Sequence, residues 1–373
     1  MIKVTLMQDD AAWDNYVARH EMSNAYHLFH WQKVISNTYG HKTYALAAVS
    51  PENNKTEGKF NPTIKGILPL VHMKTSLFDN RLISMPFYDH GGVIADNPEY
   101  ELELIKEATA LGKRLKAQRI ELRHLNRISF LDKCNFKTTS NYRQYFFGWT
   151  MRPHKVRLLL YLPESSEDLM KAFKSKLRSQ IKRPIKAGFR TKIGGIELLD
   201  DFYNVFSINM RDLGSPVHNK KLQQSVLTNF PDKAKIVAVY KEGEPISVAL
   251  MVGCKNVMIN PWASSIRKYS KESPNMLLYW TMLAYAADNG FREFDFGRST
   301  PDEGTYHFKT QWGAKPYPMY WYTLWLDPKR AANATNSIKS QSNKGSVAIA
   351  LWKRLPISVS RLIGPYIRKH IDL

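Results

Sequence analysis

The sequence is short of cysteine and of acid. Only Cys134 and Cys254 occur in 373 residues, and neither belongs to a CxxC pair. That excludes a disulfide framework and a cysteine-rich zinc site, and it implies a reducing compartment. Asp and Glu number 33 against 54 Lys and Arg, a formal charge of +21. Such an excess points to anionic partners: nucleic acid, phosphorylated substrates or an acidic membrane face. Long apolar runs are missing too. The longest mostly apolar stretch is 276–287, interrupted by Thr281, where a spanning helix needs about 20 residues. The opening residues MIKVTLMQDDAAWD have neither the basic region nor the apolar run of a signal peptide. The expectation is a cytoplasmic protein, soluble or peripheral on the inner face of the cytoplasmic membrane.

Signature loops are absent as well. There is no GxxxxGK[ST], GxSxG, HExxH or GxGxxG, which demotes NTP hydrolysis, zinc hydrolysis and hydride transfer. None of the 11 histidines forms a metal-ligand pair at helical spacing, and His27 and His30 have no carboxylate beside them. Neither a metal nor a resident cofactor is expected. What is present is 43% hydrophobic and 12% aromatic residues, enough for a sizeable core. The length suits two domains of roughly 100–200 residues each.

Strands and helices alternate. Strands are predicted at 3–7, 43–49, 66–73, 81–86 and 119–125, with helices at 11–20, 29–39 and 98–116. A polar loop covers 51–62. The same grammar returns with strands at 236–240, 246–252, 257–263 and 293–297 and a helix at 274–289, which has Pro274 at its start and Gly290 past its end. In both halves strands run into one long helix and then a short strand holding an acid, Glu121 or Asp295. We read this as a duplicated α/β unit, with domains at 1–150 and 151–328 and a tail at 329–373.

Residues 165–187 predict a helix in which Phe173, Leu177, Ile181 and Ile185 form an apolar stripe. Lys174, Arg178, Lys182 and Lys186 form a basic one, and Pro184 should kink or end the helix. From 169 to 196 there are nine basic residues and no acid. The basic stripe either binds a polyanion such as tRNA or is a solvated face. Asp89 and His90, ahead of Gly91 and Gly92, are either a general base or the makings of a tight turn. In 295–313, DFGRSTPDEGTYHFKTQWG, an aromatic stands beside a Lys after a short loop, suited to stacking on a base and contacting a phosphate.

Several stretches together resemble a known family: HLFHWQKVISNTYGHKTYAL (27–46), GILPLVHMKTSLFDNRLISMPFYDHGG (66–92), KSKLRSQIKRPIKAGF (174–189), MRDLGSP (210–216), FREFDFGRST (291–300), GTYHFKTQWG (304–313) and the tail WKRLPISVSRLIGPYI (352–367). Their order and spacing are similar to those of FemAB/FemX-type peptidyltransferases, and specifically of the FemAB-like proteins associated with exosortase/PEP-CTERM systems. The resemblance covers nearly the whole chain. It implies an α/β fold of two tandem GNAT-like (acyl-CoA N-acyltransferase) domains, the second carrying the donor site. It also implies transfer of an aminoacyl or acyl group to an amine or hydroxyl of a cell-wall or surface-polysaccharide precursor. The donor would be aminoacyl-tRNA or acyl-CoA, with no covalent enzyme intermediate.

By the same resemblance Phe308 and Lys309 lie near the reacting ester, and Lys309 steadies the donor phosphate or the oxyanion. Arg211, Asn260, Trp262, Asp295, Arg298 and Tyr306 would bind substrate, although relatives have a Tyr- and Gly-rich stretch where this chain has Asn260-Pro261-Trp262-Ala263-Ser264. Asp89 or His90, or the substrate itself, would take the proton. Two other readings stay open: an acyl-CoA-dependent acetyltransferase of exopolysaccharide synthesis, and a non-catalytic RNA- or membrane-binding protein on a degenerate GNAT scaffold.

The tail is a different kind of segment, with nine basic residues and one acid in 329–373. Residues 329–346 read as a linker. In 346–371, Val359, Leu362, Ile363, Tyr366, Ile367, His370 and Ile371 fall on one helical side, with Arg361, Arg368 and Lys369 off it, and Pro356 and Pro365 break the segment. This suits an amphipathic anchor on an anionic membrane, or a helix packed on the protein's own surface.

Overall fold

The computed structural model describes residues 2–50, 63–75, 79–128, 137–138, 144–146, 149–327 and 342–372. Cys134, the loop expected at 51–62 and most of the linker expected at 329–346 lie outside them. The chain forms two compact units. The first comprises Met1–Lys155, Pro318–Ile338 and Asp372–Leu373; the second comprises Val156–Tyr317 and Lys339–Ile371. Each unit draws on more than one stretch of chain, whereas the sequence suggested contiguous domains.

The first unit runs β1 (Lys3–Leu6), α1 (Asp10–Arg19), α2 (His30–Tyr39), β2 (Lys42–Ser50), β3 (Thr63–Lys74), β4 (Asn80–Ile83), β5 (Ile94–Ala95), α3 (Pro98–Arg114) and β6 (Arg119–His124). The short strands β7 (Lys137–Thr138) and β8 (Gln144–Phe146) pair with each other. Strands β1 to β4 are antiparallel neighbours in order, and β6 joins β4 in parallel. The strand Lys315–Trp325, not expected from the sequence, pairs antiparallel with β6 through Tyr320–Trp325. Helix α3 obeys its sequence signals. Asn97 caps it by accepting from the Glu99 and Tyr100 N–H groups, Pro98 opens it, and Glu99 and Glu101 precede Lys113 and Arg114 along the dipole. Its buried face, Leu104, Ile105, Ala108 and Leu111, packs on Leu68, Leu70, Leu82 and Ile120 of the sheet.

The second unit runs β9 (Trp149–Tyr161, of which residues 156–161 belong to this unit), α4 (Ser166–Ala172), α5 (Ser175–Lys186), β10 (Arg190–Gly194), α6 (Leu199–Leu213), α7 (Lys220–Asn229), β11 (Ala234–Lys241), β12 (Glu244–Cys254), β13 (Val257–Ser265), α8 (Pro274–Asp288), β14 (Glu293–Ser299) and α9 (Gly304–Thr310). It ends with α10 (Ser342–Lys353) and α11 (Ile357–Arg368). The strand order is β9-β14-β13-β12-β11-β10. All neighbours are antiparallel except β13 and β14. Helix α8 buries Met276, Leu278, Met282, Leu283 and Ala286 against Val237, Val239, Met251 and Phe294. Helices α10 and α11 pack on α6.

The single helix expected at 165–187 is two. The chain turns extended at Phe173 and Lys174, separating α4 from α5. Within α5 the apolar stripe also shifts: Pro184 is buried with Leu177 and Ile181, while Ile185 is exposed. At 3.6 residues per turn Pro184 falls within about 20° of Leu177, whereas Ile185 is about 80° away.

The duplication is visible rung by rung. In the first unit β4 and β6 pair in parallel over three residues, ending on Ile83 opposite Glu121. In the second, β13 and β14 pair in parallel over three residues, ending on Ile259 opposite Asp295. A long helix, α3 or α8, makes the crossover each time. A parallel pair that separates past a short ladder opens a place for a ligand at the strands' carboxyl ends.

Candidate active site

The second unit keeps that place open. A cavity of about 470 Å³ lies where β13 ends and α8 begins, lined by Ser265, Arg267, Ser270, Ser273, Asn275 and Met276 together with Gln180, Asn209, Asp212, Phe308 and Gln311. Helix α8 opens on Pro274, and Ser273 gives it no side-chain cap, so the N-terminus of a 15-residue helix meets the cavity. Ser273 itself is left-handed, with φ 61°, a strained conformation for a residue with a side chain. Asn209 Nδ2 donates to Ser264 Oγ at 3.0 Å, and Ser247, Ser265 and Asn275 share a hydrogen-bonded cluster.

One wall is Phe308, whose ring meets Tyr279 edge-on at 4.9 Å. Tyr279 stacks on Phe296 at 5.6 Å, and burial pushes its hydroxyl up to about 12, so it stays protonated at neutral pH. Lys309 turns the other way. Its nearly buried ammonium donates to the carbonyls of Arg298 (2.8 Å) and Gly297 (3.2 Å). These carbonyls belong to an irregular turn of β14, where the register against β9 shifts between Asp295 and Arg298. Gly297 takes φ 71° there. Asp295 Oδ1 accepts from the Gly297 N–H at 2.8 Å, and the other carboxylate oxygen faces Arg157 Nε at 3.5 Å. Lys309, Asp295 and Arg157 thus brace β14 just past its ladder.

The remaining expected site residues fall as follows. Asn260 is buried at the irregularity between β12 and β13, its Nδ2 donating to the carbonyls of Leu250 and Trp262, both at 3.0 Å. Trp262 is buried with its ring 6.1 Å from that of His218. Arg211 is held by its neighbour Asp212 at 2.7 Å. Tyr306 packs at the edge of the core. Lys174, Lys182 and Lys186 are exposed and Arg178 half-buried along α5, with Arg178 Nη1 donating to the Lys171 carbonyl. Sequence reasoning passed over the cavity's polar lining. The signal it had was the run from Ser264 to Asn275, in which serines and basic residues sit directly before a helix that opens on proline.

In the first unit the corresponding place is filled by the chain itself. Past the ladder, Arg123 N–H donates to Ser84 Oγ (2.8 Å) and Gly91 N–H to the Arg123 carbonyl (3.2 Å). The loop carrying Asp89 and His90 contains two non-glycine residues at positive φ, Met85 (49°) and Phe87 (73°). His90 is buried with its ring 4.8 Å from that of Tyr26, and Asp89 is half-buried. A cavity of only about 60 Å³ remains, with His27, His90, Arg123 and His124 among its lining. Arg123 is fully enclosed. It donates to Glu121, the Tyr88 carbonyl and Asp372, and its guanidinium lies 4.4 Å from the Trp321 ring centre. Burial alone would raise the Asp372 carboxyl, but Arg123 and Arg81 hold it below the usual range.

His27 Nδ1 accepts from the Asn24 N–H, which leaves Nε2–H to donate to the Gly92 carbonyl at 3.0 Å. Burial lowers His27 from 6.5 to about 3, and His124 likewise. Both imidazoles bind protons more readily unfolded than folded, so stability is full above about 6.5 and is lost as pH falls toward 3. The expected loss is about 1.4 kcal/mol per pH unit per histidine across that window. Urea unfolding at pH 7 and pH 5 checks it, and equal stabilities at the two pH values would refute it.

Among the described residues no group of three or more His, Cys, Asp or Glu stands ready to hold a metal ion, and no helix is long and apolar enough to cross a membrane. In sequence, residues 171–310 match the acetyltransferase (GNAT) domain family; no curated protein matches the chain. In structure the chain is similar to FemX, with a TM-score of 0.67 at 15% identity over 89% of this chain and 99% of that one. It is similar to the C-terminal domain (DUF2156) of a candidate lysylphosphatidylglycerol synthetase from Agrobacterium fabrum (TM-score 0.54, 11% identity, 90% and 98% covered). A tandem GNAT protein from the clavulanic acid biosynthesis pathway also matches (TM-score 0.52, 9% identity, 87% and 98% covered). The chain is therefore built from two GNAT-like α/β domains.

Proposed function

We propose that the protein is an acyltransferase of the FemAB kind, moving an aminoacyl or acyl group from a phosphate-bearing donor to an amine or hydroxyl acceptor. The observation that carries this reading is the contrast between the two units. The second has an open cavity of about 470 Å³ at the N-terminus of α8, while the first has closed the equivalent place with its own loop. A helix N-terminus flanked by Arg267, Ser270 and Ser273 is chemically suited to phosphate oxygens. The donor's reactive carbonyl would then lie near Phe308 and the braced turn of β14.

Transfer in this reading is direct. The acceptor nitrogen or oxygen forms a bond to the donor carbonyl carbon, the bond to the donor oxygen or sulfur breaks, and the acceptor's proton passes to a base or to the leaving group. Asp89 and His90, the bases expected from the sequence, belong to the first unit and do not line this cavity. Cys254 is buried and does not line the cavity, in keeping with a route that has no thioester on the enzyme. Holding donor and acceptor together and stabilising the oxyanion supply the acceleration. The acceptor class we favour is an anionic precursor of the cell wall or of a surface polysaccharide, which suits the +21 charge.

Donor identity is tested by binding of charged tRNA, uncharged tRNA and acetyl-CoA, each at two salt concentrations. Preference for charged tRNA with a steep salt slope is expected if the exposed lysines of α5 form its platform. Salt-tolerant binding of acetyl-CoA alone would transfer the reading to an acyl-CoA-dependent acetyltransferase. Binding of none of the three would end both.

A further inference from the structure

We propose that α10 and α11 seat the second unit on an anionic lipid surface. Helix α11 is built inside out. The residues it buries are Ser360, Gly364 and Arg368, one per turn. At Gly364 the helix runs so close to its neighbour that an added Cβ would lie 3.0 Å from the Val217 nitrogen. The two arginines of this helix are paired within the unit: Arg361 donates to Ser207 Oγ and Asn204 Oδ1, and Arg368 Nε to His218 Nε2. The large apolar side chains face outward. Leu362 is 69% and Tyr366 68% exposed, with Val359, Ile363 and Ile367 beside them. Helix α10 adds exposed Val347, Ile349 and Leu351.

A helix at a water-facing surface has the opposite pattern, with its apolar stripe turned to the core. Small residues at a helix seam and large apolar ones outside is the arrangement found where lipid is the solvent. An exposed apolar patch of this extent marks an interaction surface. Charge then selects the partner. Residues 329–373 carry nine basic side chains and one acid, and that acid, Asp372, is already paired with Arg81 and Arg123. Lys353 and Arg354 are exposed at the end of α10. A second copy of the chain would set one basic tail against another, whereas an anionic bilayer offers apolar depth and opposite charge together. Tyr366, apolar in its ring and polar at its tip, suits the headgroup boundary. The surface does not depend on the transfer reaction.

The test is flotation of the full chain with vesicles of phosphatidylcholine alone, and with roughly one-third phosphatidylglycerol, beside the double variant Leu362→Ser/Tyr366→Ser. Binding to the phosphatidylglycerol vesicles is expected, weakened by salt and weakened at least about tenfold in the variant. The variant's thermal midpoint should be unchanged, because both side chains are already in water. Equal binding to the two vesicle types would overturn the proposal. So would full binding of the double variant, which would assign the interaction to another basic surface such as α5. A dimer in light scattering that the double variant dissolves, with no vesicle binding by either protein, would make a second copy the occupant instead.

Discussion

Lys309→Met is expected to lower the rate of transfer by about a hundredfold, the order of loss when a supporting residue lets the reacting groups shift by about 1 Å. The side chain spans from α9 to the β14 turn, and its ammonium holds the Gly297 and Arg298 carbonyls. Lys309 is therefore a positioning residue: it fixes the backbone beside Phe308 and places a positive charge there. Its signature is a fall in kcat with donor binding nearly unchanged, because the cavity's own lining does not include it. Lys309→Arg should not rescue, since a planar guanidinium cannot reproduce a point donor between two carbonyls in a nearly closed site. Weaker donor binding with kcat intact, or loss of folded protein as the whole effect, would sink the assignment.

Arg123→Met is expected to destabilise the first unit by about 3–5 kcal/mol, the cost of breaking a buried ion pair from one side. The substitution takes the guanidinium away from Glu121 and Asp372 and removes its hydrogen bond to the Tyr88 carbonyl. It also removes the cation from the face of Trp321. Asp372→Asn should cost much less, because the guanidinium keeps Glu121. Urea unfolding of the two variants beside the parent measures the difference, and equal losses would mean that Asp372, not the Glu121 pair, dominates.

Local signals carried much of the fold. The ends of α3 and α8 follow from Pro at their starts and from charge order or Gly290 at their close, and the alternating apolar strands identify the β-meander of each half. The acids Glu121 and Asp295, paired by sequence alone, occupy the same rung of equivalent ladders. What escaped depends on distant partners. No local pattern tells that Lys315–Trp325 returns to β6, since its aromatic residues fit many strands. Pro184 reads as a helix breaker but takes the buried position of α5 because helical drift carries Ile185 off the face. The cavity escaped because serines and an asparagine before a helix look like any loop until a parallel ladder stops beside them. The seam of α11 escaped because helical periodicity groups the apolar residues without saying which side faces the protein.

The return of Lys315–Trp325 to β6 also sets an order of events during synthesis. Most of the first unit leaves the ribosome first, yet β6 waits for a neighbour encoded about 200 residues later. Meanwhile the nascent chain presents an unpaired strand edge, the kind that recruits other chains. The strands of the second unit that lie between, β9 to β14, can pair among themselves as they emerge. Translation that stops before residue 315 would therefore release a first unit with its β6 edge open, whatever the state of the second.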